Sequence, residues 1–133
     1  VTSRFGKGHT LFVGTYLGWG NHPEQTPSNT AFILRLADWA GIDKPVATSL
    51  DGQLAEPVVA RLQENPNGYL LFVINHGEAA QSPTVTVRVT DGNYLLTDLT
   101  STRQQSVTAR GGALQFNTSI GARDVGVWSI ARR

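Results

Sequence analysis

Along the 133 residues the spacing of apolar positions changes character once, from a helical period to a strand period. Phe32, Ile33, Leu36, Trp39 and Ala40 fall at i, i+1, i+4, i+7 and i+8, which is the apolar stripe of one helix. Thr26-Pro27 offers an N-cap followed by proline at the first helical position, and Gly41 can end the helix in a left-handed cap. Two short strands are predicted ahead of it, around the turn Gly6-Lys7-Gly8. The second, Leu11 to Tyr16, is apolar enough to be buried on both faces. Between strand and helix, residues 18–27 are rich in Gly, Asn and Pro and read as a loop.

After Ile42-Asp43-Lys44-Pro45 the helical period disappears. Short β-rich runs follow, punctuated by Asp51-Gly52, Pro66-Asn67-Gly68, Asp91-Gly92 and Gly111-Gly112. The runs are Val58 to Leu62, Tyr69 to Asn75, Thr84 to Thr90, Tyr94 to Leu99, Gln105 to Ala109, Ala113 to Asn117 and Val125 to Ile130. In Thr84-Val85-Thr86-Val87-Arg88-Val89 valines alternate with polar residues, as a strand with one wet face requires. Leu70-Leu71-Phe72-Val73-Ile74 instead reads as a central strand covered on both sides. The expected fold is mainly β: an antiparallel β-sandwich over residues 45–133, preceded by a short strand-strand-helix fragment over residues 1–44.

Composition narrows the function. Eleven Lys and Arg against ten Asp and Glu leave a net charge of +1 with the basic residues scattered, which gives no footprint for nucleic acid or an anionic membrane. Arg132 and Arg133 read as a solvated tail. Without cysteine there is neither a disulfide framework nor a thiolate metal site. No apolar run is long enough to span a membrane, and the start has no signal-peptide pattern. Val1, opening directly in strand-like sequence, points to a piece of something longer.

Catalytic chemistry finds little purchase. Glycoside hydrolysis needs two facing carboxyl groups, yet Glu24, Glu56, Glu64 and Glu78 all fall in loops, turns or strand ends. His9, His22 and His76 are far apart and form no HxxxH or HxH pair, so no metal is assigned. No Gly-x-Ser-x-Gly elbow occurs, and Gly14 to Gly20 lacks both the GxGxxG order and the P-loop lysine, so no cofactor is expected. Sugar binding remains, because exposed Trp and Tyr rings offer flat apolar faces to a pyranose. Trp19, between two glycines in a loop, has the best claim to exposure, whereas Trp39 on the helix stripe reads as core. Tyr94, Trp128 and the wet-face Arg88 complete the candidate set. For Trp128, which shares its face with Ile130, core packing is the competing and leading reading.

The order of segments also carries a resemblance. Phe5-Gly6-Lys7-Gly8-His9-Thr10-Leu11-Phe12-Val13-Gly14-Thr15-Tyr16, then a helix ending Leu36-Ala37-Asp38-Trp39-Ala40-Gly41-Ile42, resembles the end of the trimerisation domain of bacterial β-galactosidases of glycoside hydrolase family 42. Val58 to Leu62, Gly68 to His76, Thr84 to Val87, Tyr94 to Leu99 and Asp124 to Val127 are similar to that family's C-terminal β-sandwich. The resemblance implies that the catalytic glutamates lie in a barrel that no part of this chain matches, so no catalytic residue carries over. It implies a non-catalytic accessory role that is mainly structural, while the sandwich with Trp19, Trp128, Tyr94, Thr86 and Arg88 offers a tethering carbohydrate-binding module as the alternative. The expected partners are oligosaccharide or polysaccharide, and a second chain through residues 1–44, where Leu11 to Tyr16 and the Phe32, Leu36 and Trp39 face need cover from the sandwich or from another chain.

Overall fold

The structure, a computed structural model, describes residues 2–6, 8–14, 27–42, 44–55 and 57–133. They divide into two compact units, Val1–Asp43 and Lys44–Arg133.

In the first unit, β1 (Thr2–Phe5) pairs antiparallel with β2 (Gly8–Leu11), and α1 spans Pro27–Trp39. Helix α1 starts at proline, whose missing N–H costs nothing in the first turn. It ends as expected: Gly41 takes φ 66° and Ile42 N–H donates to the Ala37 carbonyl at 2.9 Å, a Schellman closure. The proposed N-cap, Thr26, lies outside the described residues.

Two expectations for this unit are corrected. The second strand is Gly8–Leu11 and does not run from Leu11 to Tyr16, of which residues 15 and 16 lie outside the described residues. With Phe5 opposite Gly8, the described pairing runs as far as Thr2 opposite Leu11. Phe12, one step beyond, is 72% exposed. Trp39 is not core either: it is 46% exposed, and its ring meets His9 edge-on with centroids 5.9 Å apart. One helix and a two-stranded ribbon offer too little surface to enclose an indole.

The second unit is a mainly β, antiparallel two-sheet structure. Its strands are β3 (Val46–Leu50), β4 (Gln53–Leu54), β5 (Val58–Asn65), β6 (Gly68–Asn75), β7 (Thr84–Arg88), β8 (Gly92–Asp98), β9 (Gln104–Ala109), β10 (Ala113–Asn117) and β11 (Val125–Arg132). One sheet has the order β10-β7-β3-β4 and the other β5-β6-β11-β8-β9. All seven predicted runs form strands. The pair β3–β4 is additional, a hairpin closed by Asp51 (φ 50°) and Gly52 (φ 79°), both in the left-handed region that a two-residue type I′ turn demands.

Alternating side chains from both sheets build the core. Leu71, Val73, Leu96 and Ile130 of the larger sheet and Val85, Val87 and Leu114 of the smaller are fully buried. Trp128 adds the largest side chain, packed edge-on against Phe116 at 5.7 Å. Gly126, two residues earlier on the same face of β11, makes room for the indole: a Cβ there would lie 2.6 Å from Trp128 Cζ3. Strand β6 departs from the expectation of two covered faces. Leu71, Val73 and Asn75 are buried, whereas Leu70, Phe72 and Ile74 are only half-buried on the outer side.

Candidate functional site

Of the four residues singled out for sugar binding, the three that are described do not form one surface. Trp128 (5% exposed) and Tyr94 (3% exposed) lie inside the sandwich, so neither offers a ring face to a ligand. The alternation placed Trp128 correctly with Ile130, and that shared face is the inner one. The hydroxyl of Tyr94 is also committed, donating to the Thr90 carbonyl at 2.9 Å. Arg88 is exposed at the end of β7, on the other sheet, opposite Ala113. Trp19 lies outside the described residues.

What the fold does assemble is a rim at the β5–β6 turn. In an antiparallel sheet directly opposed residues share a face, with Cβ atoms about 5 Å apart, and diagonal neighbours follow at about 7 Å. Glu64 on β5 stands opposite Tyr69 on β6, which in turn stands opposite Ile130 on β11. Since Ile130 is fully buried, this row belongs to the inner face, where it reaches the open end of the sandwich. Two residues beyond Ile130, on the same face, comes Arg132, opposite Tyr94. These side chains, with Asn65, Pro66, Asn67, Gly68 and Thr90, line a concavity of about 420 Å³. That is within the range of small-molecule sites.

The rim is held in shape by backbone proximity and by hydrogen bonds. Gly68 has φ 134°, and any Cβ there would collide with the Ile130 carbonyl, so the turn lies directly against β11. Asn65 Oδ1 accepts the Asn67 N–H at 2.8 Å, which stiffens the tip. Arg132 is no loose tail. It lies in β11, its guanidinium passes over Gly92, and Nη2 donates to the Asp91 carbonyl at 3.1 Å. One N–H is thereby used to aim the group, and the remainder of the fork is left for water or ligand.

The rim is hard to read from sequence because Arg132 stands more than sixty positions from Glu64 and Tyr69, a separation that strand pairing closes. One signal was present. Pro66-Asn67-Gly68 marks a tight hairpin, and counting back from it puts Glu64 opposite Tyr69.

The opposite end of β6 and β11 holds a second polar group. There Asn75 is buried and fully engaged: Nδ2 donates to the Ala79 and Gly121 carbonyls, each at 2.8 Å, and Oδ1 accepts the Gly77 N–H at 2.9 Å. Glu78 and Arg123 pair with each other at the surface. These groups hold loops together. Asp98, in the β8–β9 turn, is likewise structural. Partial burial works to raise its pKa, but hydrogen bonds from the hydroxyls and backbone N–H groups of Thr100 and Ser101 outweigh it and lower the value to about 2. An acid held ionised so far below neutrality cannot deliver a proton as a general acid. Among the described residues, no group of three or more His, Asp or Glu could hold a metal ion, and no helix is long and apolar enough to cross a membrane.

The fold therefore defines an antiparallel β-sandwich module with a concave polar rim at one end. No family model matches the chain, and no curated protein matches it.

Proposed function

We propose that the chain is a non-catalytic accessory module of a carbohydrate-active enzyme of the β-galactosidase kind, with a structural role and a capacity to bind carbohydrate. The observation that carries the structural part is the outer face of the larger sheet. Ile74 there lies between Val59 and Val125, and Phe72 between Val127 and Arg61, a mostly apolar band where a free-standing sandwich usually alternates to polar residues. A neighbouring domain of the same enzyme is the partner whose packing this band fits. The apolar side chains of residues 1–44, with Phe12, Phe32, Trp39 and Ile42 exposed, suit association with a second copy of the chain.

Two measurements on the purified chain test the reading. Hydrolysis of an aryl β-galactoside is expected to stay at the buffer rate, and light scattering is expected to show association that Phe32→Ser with Trp39→Ser abolishes. Turnover that survives repurification, together with a strictly monomeric wild type, refutes it.

A second reading is favoured by the 46% exposure of Trp39: a carbohydrate-binding module that tethers its enzyme to polysaccharide through exposed rings. Tryptophan fluorescence during titration with galacto-oligosaccharides, xyloglucan and β-glucan separates the two. A saturable shift lost in Trp39→Ala or Trp19→Ala selects tethering.

A further inference from the structure

We propose that the rim formed by Glu64, Tyr69 and Arg132 is a binding site for the end of a neutral oligosaccharide, seated on the Tyr69 ring. This rests on the carbohydrate part of the reading above and gives it a location. Three observations converge. The concavity of about 420 Å³ is of a size for one or two sugar rings. Tyr94 in its lining is buried, whereas Tyr69 is half-buried and fixed by packing against the core, and is therefore rigid enough to offer an apolar ring. The walls pair opposite functions: a carboxylate directly across the strand from Tyr69, and a guanidinium on the diagonal, already aimed by its bond to the Asp91 carbonyl.

The charge balance selects the ligand class. One acid and one base, accompanied by the Asn65 and Asn67 amides and the Thr90 hydroxyl, leave no excess charge to attract phosphate or a carboxylic acid. They do supply both acceptors and donors at short range around an apolar ring. A polyhydroxylated ring needs that combination, since each of its hydroxyls donates and accepts while its C–H face is apolar. The concavity at the other end of β6, beside His76, Glu78, Arg123 and Asp124, has no Tyr or Trp in its lining, Glu78 and Arg123 are engaged with each other, and Asp124 accepts the Val125 N–H.

The test uses the whole 133-residue chain, labelled with ¹⁵N, titrated with galactose, lactose, β-1,4-galactobiose and cellobiose up to about 50 mM, well above millimolar affinity. Saturable amide shifts are expected at Gly68, Tyr69, Asp91 and Arg132. Tyr69→Ala is expected to weaken binding at least about tenfold, Tyr69→Phe to change it by less than about threefold, and the exposed substitutions Arg132→Gln and Glu64→Gln to weaken it about threefold or more. Because Tyr69 also packs on the core, the two exposed variants, whose spectra should otherwise match wild type, keep the test decisive if Tyr69→Ala unfolds. Saturable shifts confined to residues 1–43 overturn this site while leaving a carbohydrate role in place. Silence with every sugar overturns both the site and that role. Binding at the rim that Glu64→Gln and Arg132→Gln leave unchanged overturns the assigned contacts.

Discussion

Replacing Gly126 by alanine adds one methyl group to the densest point of the sandwich, and its cost can be worked out from the packing. Gly126 sits in ordinary extended backbone within β11, so alanine brings no conformational penalty. The whole effect is steric. The new Cβ would fall 2.6 Å from Trp128 Cζ3 and 2.7 Å from Ile120 Cδ1, with Trp128 Cη2 closer still. Comfortable carbon contacts lie at about 3.5–4.0 Å, so at least three atoms must retreat by roughly 1 Å. The indole has little room to do so, being held against Phe116 within the buried cluster. Overpacking of this kind costs about 1–3 kcal/mol, and the upper half of that range is expected here. For a unit of this size the melting temperature should fall by about 10 °C. Trp128→Phe alone should cost about 1–3 kcal/mol through lost burial and a residual cavity. The double variant, however, gives the methyl group the space the indole vacates, so the two costs should fall short of additivity by about 1–2 kcal/mol. Urea unfolding followed by far-UV circular dichroism measures all four proteins without relying on tryptophan emission. A cost below about 0.5 kcal/mol for Gly126→Ala, or strict additivity in the double variant, would refute the claim that this glycine exists to seat Trp128.

Asn75→Ala should destabilise the second unit by about 2–4 kcal/mol in the same assay, because it orphans the Ala79 and Gly121 carbonyls and the Gly77 N–H together. Faster amide exchange at Gly77 than elsewhere would locate the effect. Asp98 gives a pH-dependent prediction. Its pKa is lowered from 3.8 to about 2 on folding, so its contribution is fully present above about pH 4 and is lost as pH falls through 2. Asp98→Asn should therefore cost about 1 kcal/mol at pH 7, after allowance for solvent screening at this partly exposed turn, with the difference from wild type closing as pH approaches 2. A difference that stays constant between pH 7 and pH 2 counts against the assignment.

Where a strand shows one buried face, the pattern of residues predicts it well. Thr84 to Val89 and Val125 to Ile130 alternate as written, because burial on one side imposes a period of two on hydrophobicity. Strand β3 escaped notice since Val46-Ala47-Thr48-Ser49-Leu50 is short and mixed in polarity, although the Asp51-Gly52 turn after it was visible. Apolar runs misled in the other direction. Leu11 to Tyr16 reads as a buried strand, but the described pairing stops at Leu11 and residues 12–14 form no strand, and pairing depends on a partner that local composition cannot show. The candidate site was hidden for a related reason. Aromatic residue type points to Tyr94 and Trp128, whose faces are inward, and to Tyr69, which reads as half-buried at the head of a central strand and is so; Arg132 joins Glu64 and Tyr69 only once β11 lies beside β6.

That insertion of β11 has a consequence for how the module comes into being. β5 with β6, and β8 with β9, are local hairpins that can zip as soon as their residues exist, but within the larger sheet it is residues 125–132 that pair with both. Until that segment arrives, β6 and β8 each present an unpaired inner edge, with β6 apolar on both faces, the kind of surface to which foreign strands add. The last segment thus acts as a keystone. Its late, long-range docking places this fold among the slow, non-local folders, and a chain halted before Val125 would offer two sticky half-sheets in place of one sandwich.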